Sequence, residues 1–147
     1  MKKILKIIFI LSLLTLNLFG MRTITVNVTA YSSHGGQTDN TPFLAAWNNK
    51  LTKCDKFNPK RVNKDGVNGS IAVSRDLLKK GKLKNGDKII LKTKEGEKIG
   101  TFVVKDKMNK RFKKKIDIYF HKDKKSALKW GIKKGLVLAK LNYHWED

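Results

Sequence analysis

Residues Thr23 to Tyr31 alternate strictly: Ile24, Val26, Val28 and Ala30 fall on one face, Thr25, Asn27 and Thr29 on the other. Period two marks a strand with one buried face, because successive side chains of an extended chain point to opposite sides. The pattern returns at 116–120, where Ile116, Ile118 and Phe120 face one way and Asp117 and Tyr119 the other. Other strand signals are short and closely punctuated. Ile71-Ala72-Val73 is a short apolar strand, Asn85-Gly86 turns the chain into a strand over 88–93, and Glu95-Gly96 turns it into another over 99–105. Residues 135–143 read as a last strand. Helical signals are few: Ser74 can N-cap a helix through 75–78 that Gly81 stops, and Asp123 can cap one over 124–130 that Gly131 ends. The stretches 32–41, 48–69 and 107–115 are polar loops. About six strands, one or two short helices and turns at short spacing predict a mainly β domain. They suit a small closed barrel better than a parallel α/β sheet.

The chain begins with the three parts of an export signal. Lys2, Lys3 and Lys6 are followed by an apolar run over 7–16, then by a polar break and the small residue Gly20. The run is shorter than the ~18 to 20 apolar residues of a membrane span. The expectation is a signal peptide over 1–20, no stable membrane span after its removal, and a domain over 21–147 in the periplasm or cell envelope. An uncleaved N-terminal anchor is the alternative. Without residues 1–20 the chain keeps 30 basic and 12 acidic residues, a net charge of +18. That favours an anionic polymer as partner, although the abundance of Lys, Asn and Ile also fits a coding bias that would leave part of the charge without a function. Cys54 is the one cysteine, so no internal disulfide can form. It sits in a polar stretch and reads as an incidental or buried thiol. His34, His121 and His144 lack ligand spacing, so no metal site and no cofactor are expected.

Asp117 is the residue that most invites a chemical reading. A carboxylate in the middle of an apolar strand is locally unfavourable, and such violations gather at functional sites. It is equally readable as the polar half of an amphipathic strand. Asp106 stands where the preceding strand ends, a position from which a side chain can reach a cleft. Tyr31 ends the first strand beside a Ser/Gly loop and can stack on a sugar ring or pack at a barrel rim. Trp47, Trp130 and Trp145 read as packing residues, and the run 111–115 as a solvated loop that can also hold carboxylates beside Asp117.

Six stretches resemble the 3D domain, named for its three aspartates and found in MltA-type lytic transglycosylases and stationary-phase muralytic proteins. They are Val28-Thr29-Ala30-Tyr31-Ser32, Thr38-Asp39-Asn40-Thr41-Pro42-Phe43-Leu44-Ala45-Ala46, Ile71-Ala72-Val73-Ser74-Arg75-Asp76-Leu77, Lys105-Asp106-Lys107-Met108-Asn109, Ile116-Asp117-Ile118-Tyr119-Phe120 and Ala127-Leu128-Lys129-Trp130-Gly131. They occur in the family's order, and the separation of Asp106 from Asp117 fits as well. The resemblance implies a six-stranded double-psi β-barrel whose cleft binds a peptidoglycan strand, with Asp117 as acid/base and Asp106 as the middle aspartate. Where relatives carry the first aspartate this chain has Ser74, with Asp76 two residues on. Tyr31, Thr38, Thr41, Arg75 and Asp76 are the candidate substrate-binding residues.

The expected activity is cleavage of the MurNAc–GlcNAc bond with a 1,6-anhydro product, by a monomeric exported enzyme that uses no cofactor. Electrostatics set a condition. A strongly cationic domain lowers a carboxyl pKa, so Asp117 needs a second carboxylate, expected to be that of Asp106 within a few ångströms, to hold a proton. A non-catalytic peptidoglycan-binding module is the second reading. A nucleic-acid or membrane-surface binder is the third; the export signal argues against a nucleic-acid partner.

Overall fold

The computed structural model describes residues 23–33, 43–81 and 83–141. Residues 1–20, read above as an export signal, and Thr38, Thr41, His34, His144 and Trp145 lie outside the described residues. Six strands close into a barrel: β1 (Thr23–Tyr31), β2 (Gly69–Val73), β3 (Lys88–Lys92), β4 (Lys98–Lys107), β5 (Lys115–Tyr119) and β6 (Lys133–Lys140). Their order around the barrel is β1-β5-β2-β4-β3-β6. One α-helix, α1 (Lys124–Trp130), joins β5 to β6, and Asp123 caps it by accepting the Ser126 N–H at 3.0 Å. No helix among the described residues is long and apolar enough to cross a membrane.

Two interlocked crossings define the topology. β1 and β2 are consecutive in sequence but are separated by β5, parallel to β1 and antiparallel to β2. β4 and β5 are likewise consecutive and are separated by β2, parallel to β4. Each crossing is a ψ-shaped connection, so the barrel is of the double-psi kind, as the motif pattern implies. Closure leaves no open sheet edge, which lets short strands form a stable sheet without a covering layer.

The alternation in the sequence becomes inside and outside. Val26, Val28, Ile71, Val73, Ile89, Leu91, Phe102, Val104, Ile116, Ile118 and Leu138 fill the barrel, each at most 1% exposed. Several boundaries differ from expectation by one or a few residues. β4 continues to Lys107, so Asp106 is a strand residue; β5 begins at Lys115; and β6 runs from Lys133 to Lys140. After β2 the chain forms a 3-10 turn, Arg75–Gly81, with the Leu77 N–H bonded to the Ser74 carbonyl. The Ser74 hydroxyl accepts the Lys115 N–H at 3.0 Å, so it helps fix the start of β5.

The long β1–β2 connection is pinned to the barrel's outer wall by Asp55, which is 3% exposed. Its carboxylate accepts the Thr52 N–H at 2.8 Å, the Ser70 hydroxyl at 2.9 Å and the Lys105 ammonium at 2.6 Å. Burial raises its pKa, but the Lys105, Thr52 and Ser70 hydrogen bonds outweigh burial and hold it below the usual carboxylate value. Two residues on, the Phe57 N–H bonds to the Tyr119 carbonyl at 2.9 Å, and the Phe57 ring packs on Phe102 and Phe120.

Gly69 admits that approach, because a Cβ there would lie 2.9 Å from the Phe57 Cα. Gly69→Ala is therefore expected to cost about 1–3 kcal/mol of stability by overpacking, read as a lower denaturation midpoint. An unchanged midpoint would mean that the loop backbone is not held against β2.

Candidate functional site

Register places the acidic residues. Thr29 on β1 pairs with Asp117 on β5, Asp117 with Ala72 on β2, and Ala72 with Asp106 on β4. Residues paired across a sheet share a face, and Asp117 lies between the inward Ile116 and Ile118, so the row Thr29–Asp117–Ala72–Asp106 lies on the outer wall. Asp106 belongs to it only because of a β-bulge. Ile71 pairs with Val104 and Ala72 with Asp106, leaving Lys105 as the extra residue. Without it, strict alternation from the inward Val104 would turn Asp106 into the core.

A short hairpin lies over Asp106. Leu44 and Lys50 form an antiparallel bridge, and the Ala45 N–H bonds to the Asn49 carbonyl at 2.8 Å. The Ala46 N–H donates to Asp106 Oδ1 at 2.9 Å, and the Lys107 N–H donates to the same oxygen at 2.9 Å. Asn49 Nδ2 fastens the hairpin to the bulge by donating to the Lys105 carbonyl at 2.8 Å. At the tip Trp47 and Asn48 both have left-handed backbones, φ 57° and 59°. That conformation is uncommon for non-glycine residues and concentrates at functional segments. Trp47 is 40% exposed, with the Lys107 ammonium 5.7 Å from its ring centre.

Tyr31 joins the acidic residues from β1. Its hydroxyl is hydrogen-bonded to Asp106, and burial, then the charges of Asp106 and Asp117, raise its pKa well above the usual phenol value. Tyr31 therefore stays a neutral donor. Its ring lies 5.3 Å from that of Tyr119, which is fully buried. The Ser33 hydroxyl donates to the Tyr119 oxygen at 2.8 Å, and the same oxygen lies 3.0 Å from His121 Nδ1. Thr29 Oγ1, in register with Asp117, is buried with no hydrogen-bond partner among the described residues.

Asp117 has its pKa raised to about 6. Burial is the largest cause, Lys115 opposes it, and Asp106 adds to it. The condition set by the sequence thus has a different main answer. Asp106 contributes in the expected direction, but Ala72 stands between the two carboxylate-bearing strands. Two strand spacings of about 4.8 Å separate the chains that carry them. Desolvation does more than the second carboxylate.

The remaining predicted residues divide. Asp76 Oδ2 accepts the Lys114 N–H at 3.0 Å. Its pKa is raised by burial and lowered by more through hydrogen bonds from Ser74 and Lys114. Arg75 Nε donates to the Met108 carbonyl at 3.1 Å. Arg75 thus holds backbone just after β4 and Asp76 backbone just before β5; the charges acting on Asp117 are those of Lys115 and Asp106. Cys54 is exposed, which removes the buried alternative. Trp130 does pack, its ring 5.8 Å from Phe57, whereas Trp47 does not behave as a packing residue. Of the basic run, Arg111, Lys113 and Lys114 are exposed, while the half-buried Lys115 faces Asp117. Among the described residues no group of three or more His, Cys, Asp or Glu is placed to hold a metal ion. The sequence reading missed Ala46, Asn49, Asp55 and Lys105. Only Asp55 had a local signal, the capping box Thr52-Lys53-Cys54-Asp55.

A carboxyl whose pKa is higher in the folded than in the unfolded chain binds extra protons when folded. It therefore loses folding free energy as pH rises through that window, here from about 3.8 to about 6. Asp117→Asn removes the charge, so the variant should be more stable than the parent at pH 8 by about 1–3 kcal/mol. It should show no such advantage at pH 4. Denaturant titrations at the two pH values check this; a gain independent of pH would contradict a half-buried, proton-retaining Asp117.

No protein-family model matches the chain, and no curated protein does. Among solved structures the chain is similar to the apo expansin of Clavibacter michiganensis, at 16% identity and a TM-score of 0.45, covering 84% of this chain and 52% of that one. A mutant of the same expansin in complex with cellohexaose matches at 16% identity and a TM-score of 0.45, covering 86% of this chain and 54% of that one. The chain thus spans about half the length of each. A likeness at this level says nothing about ligand or chemistry.

Proposed function

We propose that the protein is an exported enzyme that cleaves the MurNAc–GlcNAc bond of peptidoglycan as a lytic transglycosylase, with Asp117 as acid and base. The observation that carries this reading is the half-buried Asp117, with its pKa raised to about 6, in one row with Asp106 and beside Tyr31. The motif resemblance to 3D-domain proteins supports it, and so does a basic surface that suits a wall polymer rich in carboxylates.

Such cleavage requires a group that gives a proton to the glycosidic oxygen as the bond breaks. Hydrolytic glycosidases divide acid and nucleophile or base roles between two carboxyl groups. When the sugar's own 6-hydroxyl closes the anhydro ring, the attack is intramolecular and proximity replaces an activated water. One carboxyl group can then serve twice, giving its proton to the leaving oxygen and taking one from the 6-hydroxyl. A pKa near 6 is suited to both roles. Asp106, held by the Ala46 and Lys107 N–H groups and by Tyr31, is an anchored acceptor in this scheme. Its role is to orient Tyr31 and to discourage ionisation of Asp117.

The non-catalytic wall-binding module remains the second reading, and one observation favours it. Ser74 stands where relatives carry an aspartate, and the nearby Asp76 is committed to the Lys114 backbone.

Incubation of the exported domain with sacculi should release 1,6-anhydromuropeptides, and Asp117→Asn should lower the rate by ~10²–10⁴-fold with the fold intact. The parent's rate should fall as pH rises above about 6, because the acid must start protonated. Reducing-end products would redirect the claim to hydrolysis. Retention on sacculi without products, unchanged in Asp117→Asn, would select the binding module.

A further inference from the structure

A concavity lies away from the acidic row, lined by none of its residues. It is a cleft of about 940 Å³ between the 53–68 part of the long loop and the end of α1 with the start of β6. Its walls carry Lys53, Arg61 and Lys64 on the loop side and Lys129 and Lys133 on the helix side, and no acidic residue lines it. A sixth cation, Lys56, is neutralised by Asp123 at 2.7 Å. The other five have no carboxylate within ion-pair distance among the described residues. The cleft is also apolar in part: Phe57, Phe120, Trp130 and the 62%-exposed Val62 contribute to it.

The aromatic residues narrow the ligand class. Phe57 and Phe120 are 8% and 6% exposed, and the Lys133 ammonium sits 4.8 Å from the centre of the Trp130 ring. No open ring face is therefore offered of the kind on which the bases of single-stranded nucleic acid stack. A ligand with several carboxylates spaced by small apolar groups satisfies both cationic walls and the apolar floor. We propose that this cleft binds the acidic stem peptides of the wall polymer, chains in which carboxylates alternate with methyl-bearing residues. The proposal rests on the peptidoglycan reading above and gives the polymer a second point of attachment, outside the acidic row. Two-point attachment raises the local concentration of glycan at the site without altering the chemistry there.

Cys54 lines the cleft, is exposed, and is the only cysteine, so its alkylation rate reports occupancy directly. The probes are a synthetic stem tetrapeptide, its fully amidated counterpart and a single-stranded oligonucleotide. The acidic peptide should slow Cys54 alkylation in the parent protein, while the amidated peptide should not. Arg61→Glu combined with Lys129→Glu, both exposed positions, should weaken the protection about tenfold or more. Asp117→Asn should leave it unchanged. Equal protection by acidic and amidated peptides, stronger protection by the oligonucleotide, or indifference to the charge reversal would each overturn the proposal. Peptide binding by a protein that releases no product would defeat the catalytic reading alone; products without peptide binding would defeat this inference alone.

Discussion

Between the Ile71–Val104 pair and the Ala72–Asp106 pair, β2 and β4 slip by one residue, and the organisation of the outer wall follows from that slip. Lys105, the extra residue, is directed to the wall, where its ammonium meets the buried carboxylate of Asp55 at 2.6 Å and that of Asp65 at 3.2 Å. The contact fastens the long β1–β2 loop over β2 and β4. The same slip restores Asp106 to the outer face, where it accepts the Ala46 N–H and holds the hairpin that carries Trp47. One inserted residue thus places a carboxylate, anchors its cover and leaves the apolar interior intact. Bulges are rare between parallel strands, and this one sits beside the candidate site.

The second constraint is the charge. With a formal net charge of +21 for the whole chain, the average field favours ionised carboxylates. Asp55 and Asp76 follow that field through hydrogen bonds and nearby cations, which outweigh burial, and both fall below the usual pKa. Asp117 goes the other way, since burial exceeds the pull of Lys115. Carboxylates of one type on one small barrel are thereby separated into fixed anions that hold backbone and one group that can exchange a proton near neutrality. That separation is a usual mark of acid–base sites.

Much of the barrel was legible in the sequence because its strands have one buried face. Alternation at Thr23–Tyr31 and around Ile118 gave inside and outside, and Asn85-Gly86 and Glu95-Gly96 gave the turns. Asp117 was legible for the same reason, as the polar exception in an apolar strand. Its burial was not. Tyr31 and Asp106 come near it from β1 and β4, a meeting that no periodic signal announces. Asp106 stood out by its place at a strand end and by motif resemblance, but its facing depends on a bulge that neither composition nor period reveals. Arg75 and Asp76 illustrate the reverse case: polar residues in a matched motif that serve backbone carbonyl and amide groups at the two ends of the β4–β5 connection. Trp47 was read as packing because large aromatics usually are buried; its left-handed hairpin position keeps it in solvent instead.

The chemistry proposed for the site requires Asp117 to be a carboxyl group kept protonated into the neutral range by its place in the fold. Titration of the Asp117 side-chain carboxyl by carbon-detected NMR, with Asp117→Asn used to assign the resonance, tests it most directly. A midpoint at about 6 is the predicted result. A midpoint near the ordinary aspartate value of about 3.9 would contradict the account, because a carboxylate ionised throughout the working range has no proton to give.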